Sequence, residues 1–275
     1  MLNSSDECIA MTERTGILKN SPLIYAIASI RFAAWPLLSK KIEEIHDDLR
    51  EDTPLIQAIQ IQGGIPGMQS ENVTKLWMLL SSDRTLGIHL ASDQLLVFCN
   101  KYCRYTEFET VLEKCLSVLL KHMRFMDVTN TGVRYIDHIR LKEGEERKMY
   151  VSGHLLTANF SGISNVGCIY IGSYKSGEFD LRVRCTSQPD AVAVPEDMIS
   201  LLTMSSDPGG VLKLDMLKDG ILLDIDAYKV YSTPTRMSQE VVLNQLRNLH
   251  QTANDFFRHN DVCTDYAFKV WKGEN

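Results

Sequence analysis

The sequence predicts an α+β protein of two pseudo-repeated halves, each an antiparallel sheet with a long helix packed on one face. In each half, strand-like runs come first and a long helical run follows, which is typical of the α+β class. One hairpin-like unit also occurs twice at a constant offset, and a charged stretch separates the halves. These observations together favour duplication of one sheet-and-helix unit.

The repeated unit is an alternating apolar run followed by two tyrosines and a helical stretch. Self-similarity at a fixed offset constrains a fold more tightly than local propensity does. The two copies are residues 86–97 with Tyr102 and Tyr105, and residues 212–223 with Tyr228 and Tyr231. We therefore expect a hairpin in each copy and equivalent places for the tyrosines at the strand-to-helix junctions.

The first half reads as a strand, a helix, four strands, a long helix and a closing strand. Apolar and β-branched residues predict the first strand at 23–32, and Pro36 opens a helix that runs to about residue 50. Apolar residues at helical spacing predict the long helix at 106–125. The remaining predicted strands are 56–62, 76–81, 86–90, 95–100 and 131–140.

The second half begins after residues 143–147, a charged stretch that breaks the periodic pattern. Its predicted elements are strands at 150–160, 167–174 and 179–185, a short helix at 195–203, the second hairpin, a long helix at 238–257 and a last strand at 266–271. The predicted organisation is a loose N-terminal tail over residues 1–20, a first α+β half over 21–142 and a second over 148–275.

Composition narrows the class of protein. The net charge of −6 argues against general affinity for nucleic acid or for an anionic membrane surface. The 7 cysteines are an odd number without framework spacing, which predicts reduced thiols. The first twenty residues lack the apolar core of a signal peptide, and no run approaches the roughly 18 apolar residues of a membrane span. We therefore expect a cytoplasmic protein.

The second hairpin contains a candidate metal site. Asp219-Gly220 suits a type I′ turn, and that register places Asp215 opposite Asp224 and Lys213 opposite Asp226. Like charges directly opposed on a sheet are destabilising, so the acidic pair calls for an explanation. A divalent metal held by Asp215, Asp224 and Asp226, or a shared proton, is one explanation. A solvated outer face screened by lysines is the other.

A second cluster is basic. Alternation along an extended 131–142 segment places Arg134, His138 and Arg140 on one face. Arg182 and Arg184 behave likewise on their own strand. Such a face can hold a phosphate or carboxylate through bidentate guanidinium contacts. The alternative interpretation is an exposed face balanced by acidic helices.

Three short motifs carry a family resemblance. They are Asn20-Ser-Pro22-Leu23 with Ile30-Arg31-Phe32, then Gly132-Val-Arg134-Tyr135-Ile136, then Leu223-Asp224-Ile225-Asp226-x-Tyr228. From about residue 18 onward the chain resembles a sporadically distributed bacterial family of uncharacterised proteins. The resemblance implies a single-unit cytoplasmic protein encoded in mobile or defence-associated gene clusters, and it transfers no catalytic residue. The family motif continues with Asn where this chain has Asp137.

The sequence favours a non-enzymatic recognition module that binds a partner protein or a small anionic ligand, in bacterial defence or regulation. One alternative is a metal-assisted hydrolase that uses the acidic hairpin. Another is a small-ligand protein with a cavity between sheet and long helix. Exposed sheet edges also make a homodimer plausible. No resident cofactor is predicted apart from the possible divalent metal.

Overall fold

The computed structural model describes residues 14–63, 72–158, 160–207 and 212–274, and over these ranges the chain is an α+β protein built on one antiparallel sheet. The strands are β1 Leu23–Phe32, β2 Leu55–Gly63, β3 Asn72–Leu80, β4 Leu86–Ala91, β5 Gln94–Cys99, β6 Met126–Ile139, β7 Ile169–Ser176, β8 Phe179–Thr186 and β9 Ile221–Met237. The helices are α1 Leu38–Leu49, α2 Tyr105–Met123, α3 Glu196–Ser205, α4 Gln239–Phe257 and α5 Asp265–Lys272. Short 3₁₀ turns lie at Arg147–Met149 and Gly153–Leu155.

The sheet has 9 strands in the order β2-β3-β4-β5-β1-β6-β9-β8-β7. At its centre β1 pairs with β6, whereas β5 and β9 flank this pair on either side. The edges are β2 and β7, and β7 leaves Ile169 and Ile171 exposed. An edge strand of this kind is open to pairing, so the homodimer stays a prediction.

The two faces of the sheet are covered unequally. Residues of α1, α2, α4 and α5 pack on one side, which we call the helix-rich face. The long helix α4 contributes an apolar stripe of Val242, Leu246, Leu249 and Ala253, as its periodicity predicts. On the opposite side, which we call the α3 face, α3 lies over a smaller apolar cluster that includes Ile136. The larger core therefore lies beneath α1, α2, α4 and α5.

The C-terminal element is a helix, so the predicted strand at 266–271 is wrong. Thr264 caps α5 by accepting a hydrogen bond from the Ala267 N–H, and Gly273 ends it in the left-handed region at φ 78°. Phe268 and Trp271 then face the core together at helical spacing. The predicted strand at 150–160 is also wrong, since residues 150–158 contain a 3₁₀ turn and only an isolated bridge, from Val151 to Cys263.

The first predicted hairpin is confirmed as β4 and β5, but the second is wrong. Both edges of β9 are already occupied, by β6 and by β8, so no edge is left for the segment before it. That segment instead forms a bridge between Met216 and Val192. Asp224 consequently lies opposite Ile136 and Arg184, not opposite Asp215. The tyrosines are not equivalent either, because Tyr105 begins α2 whereas Tyr231 lies within β9.

The described part of the N-terminal segment begins at Arg14. Residues 1–13 of the predicted tail lie outside the described ranges. The Arg14 side chain is buried and donates to Asp265 and to the Cys263 carbonyl. The division into tail and two halves stays a prediction.

The sequence predicts reduced thiols and no membrane-spanning segment. The cysteines in the described ranges are free, and Cys8 lies outside those ranges. Within the same part of the chain, no helix combines the length and apolarity that a bilayer crossing requires.

The close packing of β4 against β5 gives a test of the fold. A Cβ at Gly87 would overlap the buried Phe98 ring, so we expect Gly87→Ala to lower the free energy of unfolding by about 1–3 kcal/mol through overpacking. Gly153→Ala is the control, because a Cβ there would meet open space. Urea denaturation followed by circular dichroism measures both. Equal stability of the two variants would contradict the packing of this hairpin.

Candidate functional site

Two cavities lie on opposite faces of the central strands. The helix-side cavity has a volume of about 630 Å³ and lies between β6, α4, residues 16–23 and the loop before α2. The charged groove has a volume of about 600 Å³ and lies on the α3 face, beside α3 and over β1, β6 and β9. Both volumes fall in the range of small-molecule sites.

Asp137 of β6 lines the helix-side cavity and is the most unusual residue there. It is 3% exposed, and within the described ranges no donor makes a hydrogen bond to its carboxyl. Burial, with a smaller contribution from the charge of Asp224, raises the pKa of Asp137 to about 8. Buried polar groups are nearly always hydrogen-bonded, so this carboxyl requires an explanation beyond the fold.

Beside Asp137, three aromatic rings form one wall of the cavity. The Tyr135 hydroxyl lies 2.7 Å from His250 Nδ1, and the Tyr105 ring stacks on the His250 ring at 4.0 Å between centroids. Burial lowers the pKa of His250 to about 4 and raises the pKa of Tyr135 well above its usual value. Both groups are therefore neutral at pH 7, and one proton is shared in a hydrogen bond between the hydroxyl and Nδ1.

The helix-side cavity also has cationic residues in its lining. Lys19, Arg104 and Arg258 are among its lining residues. The Arg258 guanidinium is half-buried and donates to the Arg14 and Gly16 carbonyls and to Asn254 Oδ1. Burial lowers its pKa, and Asp255 offsets this only in part. In the described part of the chain, Arg258 makes no ion pair with a carboxylate.

The charged groove contains Arg134, the first of the predicted ligand-binding residues. Its guanidinium donates to both oxygens of Asp224, at 2.7 and 2.8 Å. It also donates to both oxygens of Asp197 at the start of α3, at 2.5 and 3.0 Å. Asp224 is 5% exposed, whereas Asp197 is exposed, so this double carboxylate clamp has one buried and one exposed partner. Arg134 therefore already has two anionic partners.

Arg182 and Arg184 lie on β8 opposite Asp226 and Asp224 of β9. Arg182 is exposed, with its guanidinium 6.0 Å from the Tyr228 ring centroid. Neither arginine makes an ion pair within the described ranges. Burial raises the pKa of Asp226 to about 6. The predicted basic face is thus a mixed surface of arginines and carboxylates.

His138 and Arg140 lie apart from that groove, in a third depression beside Asp215. Arg140 pairs with Asp215 at 3.1 Å, and both side chains are well exposed. The hairpin that would have placed Asp215 next to Asp224 does not form. No group of three or more His, Cys, Asp or Glu side chains in the described ranges is arranged to hold a metal ion. The role of Asp215, Asp224 and Asp226 as metal ligands stays a prediction.

The sequence predicted the charged groove in part, and it offered a cavity between sheet and long helix as an alternative without assigning any residue to it. Tyr135 was placed on the opposite face from the basic row, and that placement is confirmed. Asp137 stood out only as a departure from a family motif. One available signal was an acidic residue on the apolar side of a buried strand, with Tyr135 two residues before it. His250 had no local signal, because its partners come from β6 and α2.

The Arg134 clamp predicts unequal effects of two arginine variants. Arg134→Ala leaves the Asp224 carboxylate buried without a partner, so we expect a loss of about 3–5 kcal/mol in the free energy of unfolding. Arg140→Ala breaks an exposed pair and should cost less than about 1 kcal/mol. Urea denaturation at pH 7 compares them. If Arg134→Ala does not fold, Arg134→Met with Asp224→Leu should restore stability; failure to do so would contradict the charge argument.

The raised pKa of Asp137 predicts that the free energy of unfolding depends on pH. Its folded pKa of about 8 lies above the unfolded value near 4, so the folded state retains a proton that the unfolded state releases. Stability should therefore fall as pH rises between these values, by up to about 1.4 kcal/mol per pH unit. Asp137→Asn should remove this component, whereas exposed Asp219→Asn should not. Urea denaturation from pH 5 to pH 8 measures the difference, and identical slopes in all three proteins would refute it.

Comparison with protein-family models and with curated proteins finds no match to the chain. The resemblance to a sporadically distributed bacterial family accordingly stays a prediction. Functional inference therefore rests on the geometry and chemistry of the cavities themselves.

Proposed function

We propose that this protein is a recognition module that binds a small ligand in the helix-side cavity. The observation that carries the proposal is the buried, unpartnered carboxyl of Asp137 at a cavity of about 630 Å³. A buried polar group without a partner costs about 1–3 kcal/mol, and a ligand that bonds to it recovers that energy. A protein retains such a group readily when it serves recognition.

Binding fits this cavity better than nucleophilic catalysis does. A hydroxyl nucleophile needs a neighbouring base that activates it. Here the hydrogen-bonded pair is Tyr135 with His250, and the raised phenol pKa and lowered imidazole pKa both oppose proton transfer between them. The pair instead holds two rings rigidly, which suits a preorganised binding wall.

The basic-face hypothesis from the sequence is a separate proposal for a partner protein or an anion. Arg134 is clamped by two carboxylates, which leaves Arg182 and Arg184 as the side chains without an ion pair in the described ranges. An anion at this face would compete with Asp224 and Asp226 for the same arginines. The helix-side cavity is therefore our leading site. We keep a role in bacterial defence or regulation as part of the proposal that the protein is a recognition module.

We also keep the two-half organisation as a proposal. What supports it is the central position of β1 and β6, each of which is flanked by the strand that precedes a long helix. β5 leads into α2 and β9 leads into α4. The unequal strand counts on the two sides weigh against a close copy.

Ligand retention in matched carboxyl variants tests the proposed function. Native mass spectrometry of protein purified from its own host should find a small-molecule adduct on the wild type and on Asp226→Asn. Asp137→Asn should retain at least about tenfold less, because it alters the carboxyl that contacts the ligand. Asp226 is a fair control, since it is also a partly buried carboxyl but lies on the α3 face.

Thermal denaturation with the host's low-molecular-weight extract detects a ligand that is lost during purification. The extract should raise the Tm of the wild type and of Asp226→Asn, and raise that of Asp137→Asn much less. The absence of both adduct and Tm shift in the wild type would refute the proposal. An equal response of all three proteins would place the ligand elsewhere and refute it as well.

A further inference from the structure

The outer edge of β7 is unpaired in the described part of the chain, where β8 is its only neighbour in the sheet. The Ser187 N–H donates to the Cys168 carbonyl, which makes these two residues a hydrogen-bonded pair of the β7–β8 ladder. Such pairs alternate along an antiparallel ladder, so every second residue from Ile169 to Lys175 directs its N–H and C=O groups away from β8. These groups are available to one more strand.

The side chains that accompany these free backbone groups are apolar at the start of the strand. Ile169 and Ile171 are each more than half exposed, and alternation along the strand places both on the α3 face. The intervening Tyr170 points the other way, since it packs against the core of the helix-rich face. β7 contains no proline and pairs with β8 without a bulge, so it lacks two devices that commonly protect an edge strand.

Charge is scarce in this part of the chain. Residues 160–176 contain one charged side chain, Lys175, whereas charged residues make up 23% of the whole chain. None of these residues is buried, and the loop before β7 adds Phe160, Ile163 and Val166, which are each more than half exposed. Depletion of charge is a property of interface cores, and exposed apolar residues in number mark interaction sites. The segment therefore has the composition of an interface and not of a solvated surface.

A second copy of the same chain is the occupant that the charges favour. The net charge of −6 makes two copies repel each other, except where acidic side chains are absent, and residues 160–176 contain no Asp or Glu. An antiparallel edge strand can pair with its own copy about a two-fold axis, which uses the same surface twice and closes the assembly. The segment supplies 17 residues, close to the roughly 20–30 a side of a standard interface.

We propose that the protein forms a two-fold symmetric dimer in which β7 pairs antiparallel with the β7 of a second copy and joins two 9-stranded sheets into one. The axis lies at Ile171, so that Ile171 is opposite its own copy and Ile169 is opposite Ser173. This register brings the exposed isoleucines of both copies together on the α3 face. An axis two residues further along would set the charged Lys175 against Ile171. The dimer is independent of the ligand proposed for the helix-side cavity.

Sedimentation velocity of the full chain from about 1 to about 100 µM tests the dimer, and we expect the wild type to be dimeric at the upper end. Ile171→Lys places a charge at the axis in both copies, so it should raise the Kd at least about a hundredfold and leave the circular dichroism spectrum unchanged. Ile169→Lys serves the same purpose if the first variant does not fold. Ile56→Lys is the matched control, because Ile56 is an exposed isoleucine on the opposite edge strand β2, and it should sediment as the wild type does.

Cysteine cross-linking tests the register. Directly opposed residues of a hydrogen-bonded antiparallel pair have Cα atoms about 5.5 Å apart, which a disulfide can bridge, so oxidised Ile171→Cys should form a covalent dimer. Exposed Ser176→Cys is the control with the same native cysteines, and it should not form one, because its two copies lie at opposite ends of the paired strands.

A wild type that is monomeric at about 100 µM would overturn the proposal, also if a different protein binds this edge. Unchanged dimerisation of Ile171→Lys and Ile169→Lys would show that the copies meet elsewhere and would overturn it as well. Dissociation by Ile56→Lys would move the interface to β2, with the same consequence. A cross-link in Ser176→Cys in place of Ile171→Cys would overturn the register.

Discussion

The antiparallel pairing of β1 with β6 is the constraint on which the rest of the structure depends. It joins the two sides of a 9-stranded sheet and fixes which face each residue of β6 occupies. Because side chains alternate along a strand, Arg134 and Asp137, an odd number of residues apart, must lie on opposite faces. One strand thus supplies the clamped arginine of the charged groove and the unpartnered carboxyl of the helix-side cavity. A slip of one residue in this pairing would exchange the two.

Two buried carboxyls illustrate how differently the protein treats its charges. Asp224 is paired with a guanidinium, and both of its oxygens accept hydrogen bonds. Asp137 is buried to a similar degree, but its carboxyl has no donor among the described residues and its pKa is raised to about 8 by burial. In the first arrangement each charge is compensated, and loss of the Arg134 guanidinium would leave the Asp224 carboxylate unpaired in a medium of low polarity. The second destabilises the fold, and a protein keeps such a group most readily where a ligand completes it.

Local patterns predicted the α+β class, the central strands and the long helices, because alternation and helical spacing are properties of neighbouring residues. They failed where distant chain segments compete. The second hairpin was wrong because β8 and β6 occupy both edges of β9, and no local signal reveals that. The last helix was mistaken for a strand, since Tyr266 to Trp271 is rich in aromatic residues that suit either structure. Local patterns also could not predict the pairing of Tyr135 with His250. The two residues lie far apart in the sequence, on β6 and α4, and meet only when the chain folds.

The way Arg258 holds the N-terminal segment has a consequence for how this protein tolerates change. Two of its hydrogen bonds go to main-chain carbonyls, those of Arg14 and Gly16, which every amino acid possesses. The contact therefore recognises the path of the backbone and not the identity of its side chains. Gly16 is the exception, since its φ of 92° favours glycine. Selection on this wall of the cavity should consequently act on the length of the segment more than on its composition, so that deletions are excluded where many substitutions are tolerated.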